Sequence, residues 1–237
     1  MSKKKQIAVI SGASSGIGEA IAKEFASHGT TVILGARSTN KLEQIVDNIV
    51  SSGGRAYSFH LNFLDDDSIQ NFINRVNTIG DVNTIINNSG FGKFDKIENV
   101  LISDWDEMIS VNLRSAFILS KAFIPIMKKN KSGNIVFINS VAGKHGYPFS
   151  AGYVASKFGM RGLAESLRNE LREDNIKVTS IYPGAVDSLF WDNIDGDFPR
   201  KEMMNSKEIA ETVFFAINKK GIGALEDIVI RRTKGDF

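Results

Sequence analysis

Short β-rich runs alternate with segments of helical periodicity along the chain. The runs at 6–11, 30–36, 55–61, 82–87, 133–140, 176–184 and 226–231 show little polar alternation. Such runs mark strands buried on both faces. Between them, 16–29, 40–54, 66–80, 103–130, 151–174 and 206–218 repeat apolar residues at helical spacing. Gly29 closes the first of these and Gly53-Gly54 the second, as expected at helix C-termini. Right-handed crossovers between parallel strands place helices on both faces of a sheet. The pattern predicts an α/β fold: a Rossmann-type doubly wound parallel sheet of about seven strands. Neither a linker nor a repeat divides residues 1–237, so a single domain is expected. Residues 188–205 look irregular.

In such sheets ligands bind beyond the carboxyl ends of the strands. The stretch SGASSGIG, 11–18, joins the first strand to the first helix. Gly12, Gly16 and Gly18 permit a tight turn and a close approach of backbone to a pyrophosphate. The helix N-terminus, with Ser14, Ser15 and Ile17 around it, adds free N–H groups and a positive dipole end. The spacing is not that of a P-loop and no Lys-Ser/Thr pair follows, which disfavours ATP hydrolysis. At the end of the second strand, where an NAD site carries an acid, the chain reads Gly35-Ala36-Arg37-Ser38. A guanidinium binds a 2′-phosphate that a carboxylate would repel. Arg37, aided by Ser38, therefore predicts NADP(H) over NAD(H), and the domain reads as a dinucleotide-binding catalytic unit.

Composition narrows the chemistry further. The chain has 42% hydrophobic and 24% charged residues and a net charge of +2. Its one basic run, Lys3-Lys4-Lys5, reads as a solvated tail, so no nucleic-acid partner is expected. There is no cysteine, and the three histidines are far apart. Disulfides, thiol nucleophiles and metal sites are not expected. No apolar core follows the first lysines, and no run reaches the ~18 residues of a membrane span. A cytoplasmic protein with no membrane partner is the expectation.

Tyr153 and Lys157 stand four apart, so on a helix they share one face. A free tyrosine has a pKa of about 10, and a neighbouring cation stabilises its phenolate. Hydride transfer to a carbonyl carbon leaves charge on oxygen, which needs a proton donor and a hydrogen bond. Tyr153 suits the first need and Ser140, at the end of the fifth strand, the second. Asn112 is a poor helix former in a helical stretch. Serine hydrolysis is a weaker reading, because His145 is only five residues from Ser140 and no nucleophile elbow surrounds that serine.

Together these stretches resemble the short-chain dehydrogenase/reductase family over nearly the whole chain. The matching pieces are SGASSGIG, NNSG (87–90), Asn112, Ser140, YVASK (153–157) and PGAVDS (183–188). The resemblance implies a catalytic tetrad of Asn112, Ser140, Tyr153 and Lys157, with Asn112 holding a water that links Lys157 to solvent. It places Asn87 and the backbone of 88–90, including Asn88 and Gly90, beside the adenosine ribose. It assigns Pro183, Gly184, Val186 and Ser188 to the nicotinamide carboxamide. Ser11 and Ser188 replace threonines, Ser89 replaces an alanine, and Asn62 stands for an aspartate that accepts from the adenine amino group. An asparagine carbonyl can still accept that bond.

Segment 188–205 is long for a connection and reads as a substrate lid. Phe190, Trp191, Phe198, Met203 and Met204 are expected to line a pocket, with Tyr147 and Phe149 opposite. The end of the chain, 158–168 and the Trp-containing segment look most like bacterial sepiapterin-reductase-like, NADP-dependent carbonyl reductases. Three readings follow. The first is NADPH-dependent reduction of a small ketone, aldehyde or pterin-like diketone. The second is a 3-oxoacyl-carrier-protein reductase, and the third a non-catalytic NADP sensor. The family resemblance implies a homodimer or homotetramer.

Overall fold

The computed structural model describes residues 6–194 and 196–235; the Lys3–Lys5 run lies outside them, as does Asp195 of the 188–205 segment. Seven strands form one parallel sheet: β1 Ile7–Ser11, β2 Thr31–Ala36, β3 Arg55–His60, β4 Thr84–Asn87, β5 Gly133–Ile138, β6 Ile176–Pro183 and β7 Asp227–Ile230. Their spatial order is β3-β2-β1-β4-β5-β6-β7. The order reverses between β1 and β4, which are paired from Ala8↔Thr84 to Ile10↔Ile86. This switch point splays the loops after β1 and β4 apart and opens a crevice at the carboxyl edge.

Each face of the sheet is sealed by helices whose apolar stripes supply a separate core. Helices α1 Gly16–Ser27, α2 Thr39–Ser51 and α7 Ser206–Asn218 cover one face, with Phe25, Leu42 and Val213 packed against Ile10, Leu34 and Ile181. On the other face lie α3 Asp66–Ile79, α5 Ser115–Asn130 and α6 Ala151–Leu171, with Phe72, Phe123 and Met160 against Val9, Ile85 and Phe137.

The helix expected over 103–130 is interrupted. A short helix, α4 Ile102–Met108, runs into a π-helical segment, Ile109–Arg114, before α5 continues. Apolar periodicity does not reveal such a turn, but Asn112 marks its position. The whole stretch, Ile102–Asn130, is long and apolar enough to cross a membrane by length and composition. Its Ala116, Leu119, Phe123 and Met127 are buried against the sheet, as in a core helix.

Segment 188–205 holds two short 3-10 turns, Leu189–Asn193 and Arg200–Glu202. Its two ends meet: Asp187 N donates to Met204 O at 2.8 Å, and Met204 N to Ala185 O at 3.1 Å.

Candidate active site

A cleft of about 1320 Å³ runs along the carboxyl edge of the sheet. Typical small-ligand pockets hold about 300–1,000 Å³, so this one has room for a dinucleotide and a second molecule. Its walls bring together Gly12, Ser14, Ser15, Gly16, Ile17, Arg37, Ser38, Asn62, Asn88, Gly90, Ser140, Tyr153, Lys157, Pro183, Gly184, Val186 and Ser188. Gly18 and Asn112 are not on the wall. A Cβ on Gly18 would lie 2.4 Å from the Gly12 carbonyl oxygen and 2.6 Å from Asn88 Nδ2. That glycine lets helix, loop and Asn88 pack without a gap.

At one end of the cleft the 11–18 loop is shaped by Gly12 and Gly16, both left-handed at φ 63° and 56°. Ser15 caps α1 by position but its side chain makes no capping hydrogen bond. The first-turn N–H groups of α1 therefore have no side-chain acceptor there, which is the arrangement that receives a phosphate. Asn88 Nδ2 donates to the carbonyls of Ser11 and Gly12, each at 3.0 Å. The Ser11 hydroxyl accepts from Asn88 N and Ser89 N at 3.1 Å. These bonds tie the turn to the end of β4. Asn87 lies behind, buried, with its Nδ2 donating to Ser120 Oγ at 3.3 Å.

Arg37 is exposed on the cleft wall at the end of β2. No carboxylate among the described residues pairs with it, so its guanidinium is available to an anion. Asn62 Oδ1 already accepts from Leu64 N at 3.1 Å; one lone pair and the amide group remain for a base. The uncapped helix end, the two left-handed glycines and the free guanidinium fit a dinucleotide with a 2′-phosphate.

The other end carries the ionisable groups. Three successive residues at the end of β5 grip the start of α6. The Lys157 ammonium donates to Ile138 O at 3.0 Å, and Asn139 Nδ2 donates to the backbone carbonyl of the same lysine at 3.1 Å. Asn139 Oδ1 accepts from Ser140 N at 2.9 Å. The Ser140 hydroxyl, which accepts from Ala142 N at 3.1 Å, is directed at Tyr153. Behind them, Asn112 Oδ1 accepts from Phe91 N at 3.0 Å while its Nδ2 donates to Phe91 O and to Ser156 Oγ, both at 2.9 Å. Ser156 Oγ donates to Tyr153 O at 2.7 Å. Asn112 thus fixes the loop after β4 to the helix of the tyrosine. A Cβ on Gly90 would sit 3.3 Å from Asn112 Oδ1 and 3.4 Å from Lys157 Nζ, so that glycine keeps the space between them open.

The expected effect of Lys157 on Tyr153 is not what the protein's own groups produce. Burial pushes the Tyr153 phenol up to about 12, with the Ser140 hydroxyl opposing the rise. The Lys157 ammonium turns to Ile138 and stands 5.7 Å from the centre of the tyrosine ring. Desolvation therefore sets the direction, and the opposing group is Ser140.

Burial also pulls Lys157 down to about 8 from 10.5. The unfolded chain then binds more protons between those values, so stability rises with pH through that window, and below it the full penalty is present. At about 1.4 kcal/mol per unit the penalty is on the order of 3 kcal/mol. Lys157→Met removes it and strands the Ile138 carbonyl, at about 1 kcal/mol. The variant should melt above the wild type at pH 7, and the advantage should shrink towards pH 10. A lower melting temperature at pH 7 would contradict this reading of the lysine.

Beyond the tyrosine the wall is aromatic: Phe94, Tyr147, Phe149, Phe190, Trp191 and Phe198 line it. Met203 and Met204 do not; both are buried, and Met204 joins the core beneath α7. The bridge that closes the segment's two ends pulls Met204 inward. Within the nicotinamide-type stretch, Gly184 N donates to Ile230 O at 2.8 Å, and Val186 O accepts from the Trp191 indole at 2.9 Å. Ser188 faces Gly16 across the cleft, its Cβ 3.1 Å from where a Gly16 Cβ would stand.

Asn139, Ser156 and Phe94 were not singled out from the sequence. An asparagine directly after a buried apolar strand was the available signal for the first. Ser156 and Phe94 carried none, since the contacts that matter, with Asn112 for the first and with Tyr153 and Phe190 for the second, join segments distant in the chain.

The short chain dehydrogenase family model matches residues 6–197. The sepiapterin reductase of Chlorobaculum tepidum is 32% identical over 98% of each chain. The 3-oxoacyl-[acyl-carrier-protein] reductase FabG of Thermotoga maritima is 33% identical over 77% of this chain and 75% of its own. Among solved structures, an alcohol dehydrogenase from the archaeon Thermococcus sibiricus, complexed with 5-hydroxy-NADP, superposes with a TM-score of 0.89. It is 31% identical and is covered, like this chain, to 97%.

Proposed function

The chain belongs to the short-chain dehydrogenase family, and from that premise we propose that it reduces a small ketone, aldehyde or pterin-like diketone with NADPH, Tyr153 giving the proton. The observation that carries this reading is the juxtaposition of Ser140, Tyr153 and Lys157 in the same cleft as an uncapped helix end and an Arg37 that no carboxylate pairs among the described residues. It is an NADP-dependent oxidoreductase acting between C=O and CH–OH. When bound, the cofactor supplies the hydride that reaches the carbonyl carbon.

The residues then have separable tasks. Gly12, Gly16 and the first turn of α1 hold the pyrophosphate, and Arg37 with Ser38 the 2′-phosphate. Asn62, Asn88 and Gly90 frame the adenosine, and Pro183 to Ser188 the nicotinamide end. Ser140 hydrogen-bonds the substrate oxygen where charge develops. The Tyr153 hydroxyl transfers its proton to that oxygen, and Lys157 with Asn112 stands on the route by which it is replaced. Segment 188–205 closes over the substrate. We place the enzyme in the cytoplasm as a homo-oligomer, to which exposed Phe117 on α5 and Phe158 on α6 lend apolar surface.

Asn139 sets the spacing of these groups by holding Ser140 and Lys157 together. Asn139→Ala should bind NADPH normally yet lose about 10- to 100-fold in kcat, the scale of a slight misplacement at the reacting atoms. Stopped-flow turnover and a cofactor titration on one preparation check this; a changed cofactor affinity with intact kcat would refute the assignment.

The carrier-protein reading expects a basic patch at the mouth. The outer rim of the substrate end instead presents three carboxylates, Asp95, Asp104 and Glu107, beside the ammonium of Lys93. That supports a small molecule. A panel of free carbonyl compounds and a 3-oxoacyl carrier substrate, each with NADPH, tests the choice. Faster turnover of the carrier substrate would reverse it, and NADPH binding without oxidation across the panel would favour the sensor.

A further inference from the structure

The aromatic wall is assembled from three separate segments around the proposed acid. Phe94 comes from the loop after β4, Tyr153 from the first turn of α6, and Phe190 from the turn after β6. The Phe94 and Phe190 rings each lie 5.6 Å from Tyr153, and 6.0 Å from one another at 74°. Trp191 continues the wall at 5.7 Å from Phe190. Gly92 makes the meeting possible, for a Cβ there would fall 2.4 Å from Phe94 and 3.3 Å from Phe190.

The backbone beneath Phe190 is held firmly. Arg200 donates to Asp187 at 2.6 Å, to Asp192 at 2.8 Å and to Ser188 O at 2.8 Å. The Trp191 indole is tied to Val186 O at 2.9 Å. These bonds set Phe190 and Trp191 within the segment that covers the substrate, and the ring faces and edges favour a flat π-system over an alkyl group of equal area.

The rim beyond them is unsuited to an anion. Lys93 is engaged by Asp104 at 2.5 Å and lies 3.9 Å from Glu107. Asp95 adds a further carboxylate on the same wall. A carboxylated substrate would meet like charge on this rim, where, among the described lining residues, the one ammonium, Lys93, is already engaged by Asp104.

We infer that the substrate is an aryl or heteroaryl carbonyl compound without a negative charge, and that Phe94 and Phe190 are the residues that select it. This rests on the reductase reading and narrows its substrate. The test compares acetophenone, cyclohexyl methyl ketone and 4-acetylbenzoate with NADPH. Acetophenone should exceed the cyclohexyl ketone in kcat/KM by about tenfold or more, the sum of two ring contacts. The benzoate should fall below acetophenone by a similar factor at low salt, with the gap closing as salt is added. In Phe94→Leu/Phe190→Leu the aryl-to-alkyl ratio should approach one. Calorimetry of the same ketones on the NADP⁺-loaded protein reads selection apart from turnover. Tighter aryl binding without turnover would sustain the inference while sinking the reductase reading. Equal or weaker aryl binding, or a ratio untouched in the double variant, would overturn the inference.

Discussion

Tyr153→Phe is expected to lower kcat for carbonyl reduction by about 10²- to 10⁴-fold, the usual worth of a positioned general acid. The ring is kept, so its contacts with Phe94 and Phe190 at 5.6 Å survive and NADPH affinity should change little. Only the hydroxyl facing Ser140 is lost. The pH profile gives a second readout. Because burial holds the phenol near 12, it stays protonated across the working range. Lys157, held near 8, is the group that changes charge there. Wild-type kcat for reduction should therefore decline as pH rises through about 8, as the cation is lost from the proton route. Steady-state rates from pH 6 to 10 check this. An unchanged rate in the phenylalanine variant would remove Tyr153 from the chemistry.

Arg37→Glu should reverse the cofactor preference. A charge-assisted hydrogen bond contributes about 1.5–3 kcal/mol, or about 10- to 100-fold. Glutamate adds repulsion of the 2′-phosphate and an acceptor for ribose hydroxyls. The NADPH/NADH ratio of kcat/KM should fall by at least about 10²-fold. The drop should be smaller at high ionic strength, since Arg37 is exposed. Arg37 sits at the end of β2, far from Tyr153 in sequence, so kcat at saturating cofactor should hold. A variant that still prefers NADPH would show that the 2′-phosphate is held elsewhere.

Much of this architecture was legible in the chain because parallel strands leave a strong mark. QIAVIS and TTVILGA have no exposed face to encode, and both became fully buried strands apart from their first residues. Glycines at 12 and 16 announced left-handed backbone that side chains would oppose. What stayed hidden depended on contacts between distant segments. The π turn at Ile109–Arg114 shifts hydrogen bonding without altering apolar spacing. Asn139 is meaningful only once β5 ends beside Lys157. Met204 looked like a pocket residue in a Trp- and Phe-rich stretch, yet the Val186–Met204 bridge draws it into the core. The tuning of Tyr153 was the hardest to foresee: i to i+4 spacing puts a cation on the right face, but the reach of the lysine to Ile138 and the burial of the phenol decide the sign.

The central claim is hydride transfer from NADPH to a carbonyl in this cleft. Its most direct test uses NADPH deuterated at the transferable nicotinamide position, purified protein and acetophenone, with the product examined by mass spectrometry. One deuterium on the carbinol carbon, formed by the wild type and nearly abolished in Tyr153→Phe, is the result expected. NADPH left unoxidised across the carbonyl panel, or an alcohol carrying no deuterium, would contradict it.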